Sequence, residues 1–181
     1  MYMQTYQSPF AEIVLASDGE YLTGLWFQGA KHCPQLRPDH FADLEIFQKT
    51  KKWLDIYFHG QQPAFYPAYR LDGVTPFRKQ VIEYIKKVPY GKVMTYQQIA
   101  WEIAKNNNIR YMSAQAVGGA VGWNPISIII PCHRIIGSNG TLTGYSGGIE
   151  NKARLLQLEG IVLEKNIVKR RPAMNLSSKK R

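Results

Sequence analysis

The chain predicts an α/β (α+β) architecture in two units: a small sheet with one helix, then a mainly helical unit. Three features point there. Two β-rich runs flank an Asp-Gly turn between Glu12 and Phe27, a helical period takes over at 41–58, and helix-start signals recur beyond a proline-containing stretch. At 181 residues, 45% hydrophobic and 20% charged, the chain is long enough for one or two domains with a buried core.

In chain order, Glu12–Ala16 and Tyr21–Phe27 enclose the turn Ser17-Asp18-Gly19-Glu20, a hairpin signal. Phe41, Leu44, Phe47, Trp53, Leu54, Tyr57 and Phe58 recur at helical spacing, and Gly60 follows as a stop. Residues 61–72 contain two prolines and no helical period, which predicts a linker between units. Thr75-Pro76 reads as an N-cap with proline in the first helical position, and Phe77, Val81 and Ile85 share one face. A turn is expected at Pro89–Lys92. Thr95 and Gln98 form a capping box that opens a helix to about Lys105. Asn106–Asn108 breaks it, and a second short helix runs from Ser113 to Gly122. The pair fits a helix-turn-helix or a plain helical hairpin. The second helix holds three glycines, each costing about 1 kcal/mol relative to alanine, so its smooth face serves either close helix packing or a nucleic-acid groove. Ile126–Ile130 reads as a buried extended segment leading into Pro131-Cys132-His133-Arg134. A turn-rich loop and a last amphipathic helix with Ala153, Leu155, Leu156, Leu158 and Glu159 complete the body.

Lys plus Arg number 23 against 13 Asp plus Glu, a formal charge of +10. Such a balance favours an anionic partner, nucleic acid first and an acidic membrane surface second, or simply a basic enzyme. No apolar run is long enough to span a membrane, and Met1–Tyr6 has neither a basic leader nor an apolar core for export. The two cysteines, Cys33 and Cys132, form neither a disulfide framework nor a CxxC metal motif. A reduced, intracellular and cytoplasmic setting is expected.

A cysteine reacts as its thiolate, so it needs a base or a positive environment. His133 and Arg134 follow Cys132 directly, and Glu159 on the last helix can orient the histidine in a Cys–His–Glu set. A buried, inert cysteine is the alternative. Cys33, with only His32 beside it, is read as non-catalytic.

Ile130-Pro131-Cys132-His133-Arg134-Ile135 resembles the active-site signature of the O6-alkylguanine-DNA alkyltransferases, also called methylated-DNA–protein-cysteine methyltransferases. The resemblance extends to Thr95–Ala100, Ala116–Ala120, Asn124-Pro125, Thr143–Gly148, Lys152, Leu155-Leu156 and Glu159-Gly160, and more loosely to Trp53–Gly60. It implies DNA repair by direct reversal. The alkyl group of O6-alkylguanine passes irreversibly to Cys132, with O4-alkylthymine as a second candidate substrate, and one protein is consumed per lesion. His133 would deprotonate Cys132 through a water, Glu159 would hold His133, and Tyr96 would assist the leaving oxygen. Asn124 would support the turn before the active site, Arg134 would anchor the loop, and Tyr145 and Ser146 would line the base pocket. Ala114, Ala116, Gly118 and Gly119 would lie in the minor groove beside a flipped nucleotide, with Gln115 facing the vacated position.

The resemblance further implies a ribonuclease-H-like first domain over 1–70, a winged-helix-like catalytic and DNA-binding domain over 74–162, and a flexible basic tail over 163–181. The expected partner is double-stranded DNA carrying an alkylated guanine. No cofactor, structural zinc, membrane or obligate protein partner is expected, and the chain is taken as a monomer. Only Cys33, His32, His40 and His59 offer themselves for the zinc that some members carry. Two departures stand out. Gln115 occupies a position where many members have arginine, with Arg110 and nearby lysines as candidates to compensate, and the stretch Asn106–Arg110 is long for the usual turn.

Three rival readings remain. A non-catalytic lesion-binding relative would lack Cys132. A transcription regulator would carry base-reading side chains where the second helix has alanine and glycine. A cysteine hydrolase would turn over many times.

Overall fold

The computed structural model describes residues 1–36 and 41–169. Strands β1 (Tyr2–Gln7), β2 (Glu12–Ser17) and β3 (Leu22–Phe27) form an antiparallel meander. The expected hairpin is β2–β3, with Ser17 and Asp18 side chains accepting from the turn backbone and a register shift at Ala16/Ser17. Strand β1 is the edge that the sequence reading missed: only Met3 of its residues is buried, so it lacks an apolar alternation. Within β3, Gly24 is bare because the Trp26 ring lies over it, and a Cβ there would come within 1.8 Å of that ring.

Helix α1 (Glu45–Phe58) begins later than the period suggested. Phe41 instead forms a parallel bridge with Met3, and Leu44 takes the N-cap. The linker is pinned along the free edge of β3. Leu22 donates to the Ala68 carbonyl at 2.9 Å, and the Arg70 amide donates to Leu22 at 3.0 Å. Further along the same edge, Leu25 exchanges hydrogen bonds with Pro125 and Ser127. One strand edge therefore clamps both the linker and the segment that leads to Cys132, and the main core runs continuously through both units.

The second unit follows its caps. Helix α2 (Pro76–Lys86) starts at Thr75, whose hydroxyl accepts from the Arg78 amide. A two-residue strand, β4 (Met94–Thr95), leads into α3 (Tyr96–Asn106), and both halves of the Thr95/Gln98 capping box are present. Helix α4 (Ala114–Gly122) is capped by Ser113 and packs on α2 and α3. The α3–α4 connection spans residues 107–113, with Asn108 at φ 52°.

The isoleucine run is buried, as expected, but it is not extended. Ile130 donates to Ile126 at 3.0 Å and Ile129 to Ser127 at 2.8 Å, forming a tight turn. Ile128 sits at φ 69°, a left-handed conformation rarely adopted by β-branched residues. The turn delivers Cys132–Arg134 as a short 3₁₀ helix, and β5 (Ile135–Ile136) then pairs in parallel with β4. Helix α5 (Ile149–Leu158) ends at Glu159. Beyond it, β6 (Leu163–Glu164) and β7 (Ile167–Val168) form a hairpin, and Val168 packs with Ile136, Leu142 and Leu156. The expected flexible tail from 163 is thus corrected: 163–168 belong to the body. The rest of that tail, from 170, and His40 lie outside the described residues.

Candidate active site

Cys132 is 2% exposed and lies beneath the turn it follows. The Asn124 amide nitrogen sits 3.0 Å from its sulfur and also donates to the Ile130 carbonyl at 2.9 Å, while Asn124 Oδ1 accepts from the Ile126 amide. These bonds tie Asn124 to both ends of the turn, and its contact with the thiol has no signal in the sequence. Burial pushes the Cys132 thiol up, against the Asn124 amide and the Lys152 ammonium, which pull it down.

His133 is fully buried, and its Nε2 lies 2.7 Å from Glu159 Oε1. A carboxylate can only accept, so Nε2 carries the proton and Nδ1 holds the lone pair. No described protein group donates to Nδ1. Burial lowers the basicity of His133, and Glu159 partly restores it.

Glu159 is the most heavily bonded group in the site. Its Oε1 accepts from His133, from Tyr57 Oη at 2.8 Å and from Arg134 Nη2 at 2.9 Å. Its Oε2 accepts from Arg134 Nε at 2.9 Å and from the Gly91 amide at 3.0 Å. Gly91 holds φ at 70°, which aims that amide inward. Burial works against the charge, yet His133 and Arg134 outweigh it and hold the carboxyl at about 2. Arg134 also donates to the Val88 carbonyl at 2.7 Å. The sequence reading placed Arg134 among the DNA- and substrate-binding residues as well as making it an anchor. Its guanidinium is turned inward onto Glu159. Asn124 is likewise turned inward, at 2% exposure.

Tyr96 Oη donates to the Thr143 carbonyl at 2.9 Å. Gly144, at φ 64°, faces that hydroxyl, and a Cβ there would lie 2.8 Å from it. Burial pushes the Tyr96 phenol up to about 12. Lys152 was no site candidate in the sequence, yet it is wholly buried, donates to the Ile135 and Thr143 carbonyls, and reaches Tyr96 Oη at 3.5 Å. Burial brings it down to about 8. Tyr57 was also missed as a site residue; its only signal was its place in the loosely matching Trp53–Gly60 stretch.

Two adjoining clefts open beside this core. One, of about 660 Å³, is lined by Tyr145, Ser146, Gly118, Gly119, Lys31 and Arg78 among others. The other, of about 390 Å³, is lined by Tyr96, Ala114, Gln115, Gly118 and Gly144 among others. Gln115, Ala116 and Gly119 are exposed, and a Cβ on Gly119 or Gly122 would meet nothing. Packing within the chain therefore does not account for those glycines. Tyr145 is buried, with its ring edge-on to His133 and to Phe27. A third cavity, of about 370 Å³, is lined by Trp53, Tyr57, Tyr66, Tyr90 and Arg134 among others. The Cys33 thiol lies 3.6 Å from the Pro34 carbonyl oxygen, away from Cys132 and His133 in the hydrogen-bond network. Among the described residues, no three His, Cys, Asp or Glu side chains gather as a metal site, and no helix is long and apolar enough to cross a membrane.

Residues 76–161 match the family model for the 6-O-methylguanine DNA methyltransferase DNA-binding domain, and residues 1–66 match that for its ribonuclease-like domain. A methylated-DNA–protein-cysteine methyltransferase of Haemophilus influenzae is 38% identical over 161 residues, covering 89% of this chain and 87% of that protein. One from Methanosarcina acetivorans is 38% identical and covers 88% of this chain and 99% of that protein. Among solved structures, Mycobacterium tuberculosis OGT in complex with DNA superposes with a TM-score of 0.74 at 37% identity, covering 88% of this chain and 92% of that one.

Proposed function

The chain belongs to the 6-O-methylguanine DNA methyltransferase family, and from that premise we propose that it repairs alkylated DNA by moving the alkyl group from O6 of guanine to Sγ of Cys132. The observation that carries this reading is the buried set around Cys132: an asparagine amide 3.0 Å from the sulfur and, in the next residue, a histidine whose Nε2 is committed to Glu159.

The chemistry follows from that arrangement. With Nε2–H given to Glu159, Nδ1 of His133 is the basic atom, and it takes the thiol proton through a water. Glu159 stays ionised and stabilises the imidazolium that forms. The Asn124 amide and the Lys152 ammonium favour the thiolate. Sulfur attacks the alkyl carbon, the C–O6 bond breaks, and the electron pair leaves with guanine. Tyr96 gives a proton to the leaving oxygen, and Lys152 on the Tyr96 hydroxyl eases that loss. The product is a thioether with no good leaving group, so each chain acts once.

Access to O6 within a duplex requires the nucleotide to be flipped out. We assign the base to the cleft of Tyr145 and Ser146 and the DNA minor groove to α4, with Ala114, Gln115, Ala116, Gly118 and Gly119 facing it. The positive balance of the chain and the bare glycines support this docking. All of the proposed catalytic groups lie on one chain, consistent with a monomer. The need for a free thiol supports a reduced, cytoplasmic setting.

The test is intact-protein mass spectrometry after mixing with duplex DNA that contains one O6-methylguanine. One added methyl on the Cys132 peptide is expected, absent in Cys132→Ser. An unmodified parent protein rejects the reading, and repeated turnover points to a hydrolase.

A further inference from the structure

We propose that Tyr57, a side chain of the first unit, is a positioning residue for alkyl transfer: its hydroxyl donates to the Glu159 oxygen that holds His133 and thereby sets the orientation and basicity of that histidine. The proposal rests on the alkyltransferase reading and adds to it a residue from outside the catalytic domain.

Three atoms define the contact. Tyr57 Oη, Glu159 Oε1 and His133 Nε2 form a triangle with sides of 2.8, 2.7 and 3.3 Å. A phenol has one proton, and the carboxylate takes it. The oxygen's lone pairs then face the Nε2–H, which is shared between Oε1 and the phenol oxygen. Tyr57 cannot drift from this position. It is 1% exposed, stacked on Trp53 at 5.4 Å, and edge-on to Tyr90 and to His133. Its side chain also lines the 370 Å³ cavity. Burial and the Glu159 charge hold the phenol well above its ordinary range, so it stays a donor wherever transfer proceeds.

The groups facing His133 come from every side. Glu159 ends α5, and Lys152 lies within it. Cys132 and Arg134 flank His133 in the 3₁₀ turn, Tyr145 comes from the loop and Tyr57 from α1. Glu159 raises the basicity of His133, while Arg134 and Lys152 lower it. The Tyr57 hydroxyl draws on the same carboxylate charge. Without it, the charged Oε1 at 2.7 Å gives more to the imidazolium, which outweighs the loss of the neutral phenol oxygen at 3.3 Å, and His133 holds its proton to higher pH.

Tyr57→Phe keeps the ring, its stacking and the cavity wall. In single-turnover methylation of Cys132 across pH, its half-maximal point is expected to move upward. Its plateau is expected to fall about threefold to tenfold, the worth of one hydrogen bond. Site-specific 3-fluorotyrosine at position 57, a stronger donor, should move the midpoint downward and keeps the variant set informative if Tyr57→Phe fails to fold. The His133 imidazole titration by NMR should shift in the same two directions, with thermal unfolding recorded alongside. Coincident midpoints in all three proteins overturn the proposal, and so does a lower plateau that merely tracks lost stability. A parent that leaves Cys132 unmethylated rejects the alkyltransferase reading instead, and the NMR titration still decides the role of Tyr57.

Discussion

The Glu159 pocket and the face of α4 are opposite solutions within one small protein. In the pocket, a single carboxylate accepts from His133, Tyr57, Arg134 and Gly91, donors drawn from three separate stretches of chain. On α4, Gln115, Ala116 and Gly119 face outward, and a Cβ at Gly119 would meet nothing. The donors to Glu159 all come from the chain itself, whereas the small residues of α4 are left facing outward. Chemistry on a buried thiol needs fixed geometry, and on the proposed reading a helix that docks on any DNA sequence needs shape more than side-chain readout.

The pocket is where a substitution should do most harm. Glu159→Ala leaves His133 and Arg134 buried without their counter-charge and strips the acceptor from Tyr57 and Gly91. Breaking a buried pair of this kind costs about 3–5 kcal/mol, readable as a fall in the urea midpoint. A loss no larger than that of an exposed carboxylate would show that the network is slack, and the contrast with α4 would fail.

Titration tests the same pocket more gently. Glu159 is held at about 2, against 4.5 for a free side chain. Its contribution is therefore full above 4.5 and is lost as pH falls toward 2. His133 is lowered by burial, so the unfolded chain already gains a proton there as pH drops through 6.5. Both effects make stability decline with acid. Lys152 acts at the other end: lowered by burial from 10.5 to about 8, its buried charge costs stability below 8, and that cost is relieved as pH rises. Stability should therefore climb between pH 8 and 10, by at most about 1.4 kcal/mol per pH unit. Equilibrium unfolding across that range checks it, and Lys152→Met should flatten the rise.

Legibility in the sequence followed chain distance. The Thr95/Gln98 box and the Thr75-Pro76 start are local patterns, and both caps are present in the structure. The family resemblance, carried by Pro131–Arg134 and the motifs around it, named Glu159 as the partner of His133. Tyr57 escaped because it reaches Glu159 across 102 residues, and a tyrosine on an amphipathic helix reads as ordinary core. Lys152 escaped because a lysine in a helix reads as surface, whereas here three oxygens take its protons in the interior. The turn at Ile128 was hidden by its composition: a run of β-branched residues favours extended backbone, and clamping to β3 together with the Asn124 side chain holds it otherwise.

The smallest expected effect lies on α4. Gln115 is exposed in the first turn, and its amide is already capped by Ser113. Arginine has a similar helix propensity, so Gln115→Arg should leave folding stability within about 0.5 kcal/mol. DNA affinity is another matter, because the residue lines the cleft shared with Tyr96 and Gly118. At fixed salt, the arginine variant should bind duplex DNA several-fold more tightly. The salt dependence then separates two causes. A new phosphate contact steepens the slope of log K against log salt by about 0.9. An arginine that fills the space of a flipped base adds affinity with less change in slope and favours lesion-bearing over intact duplex. Equal or weaker binding would mean that glutamine already suits the groove, and that α4 is furnished for its partner by more than its small residues.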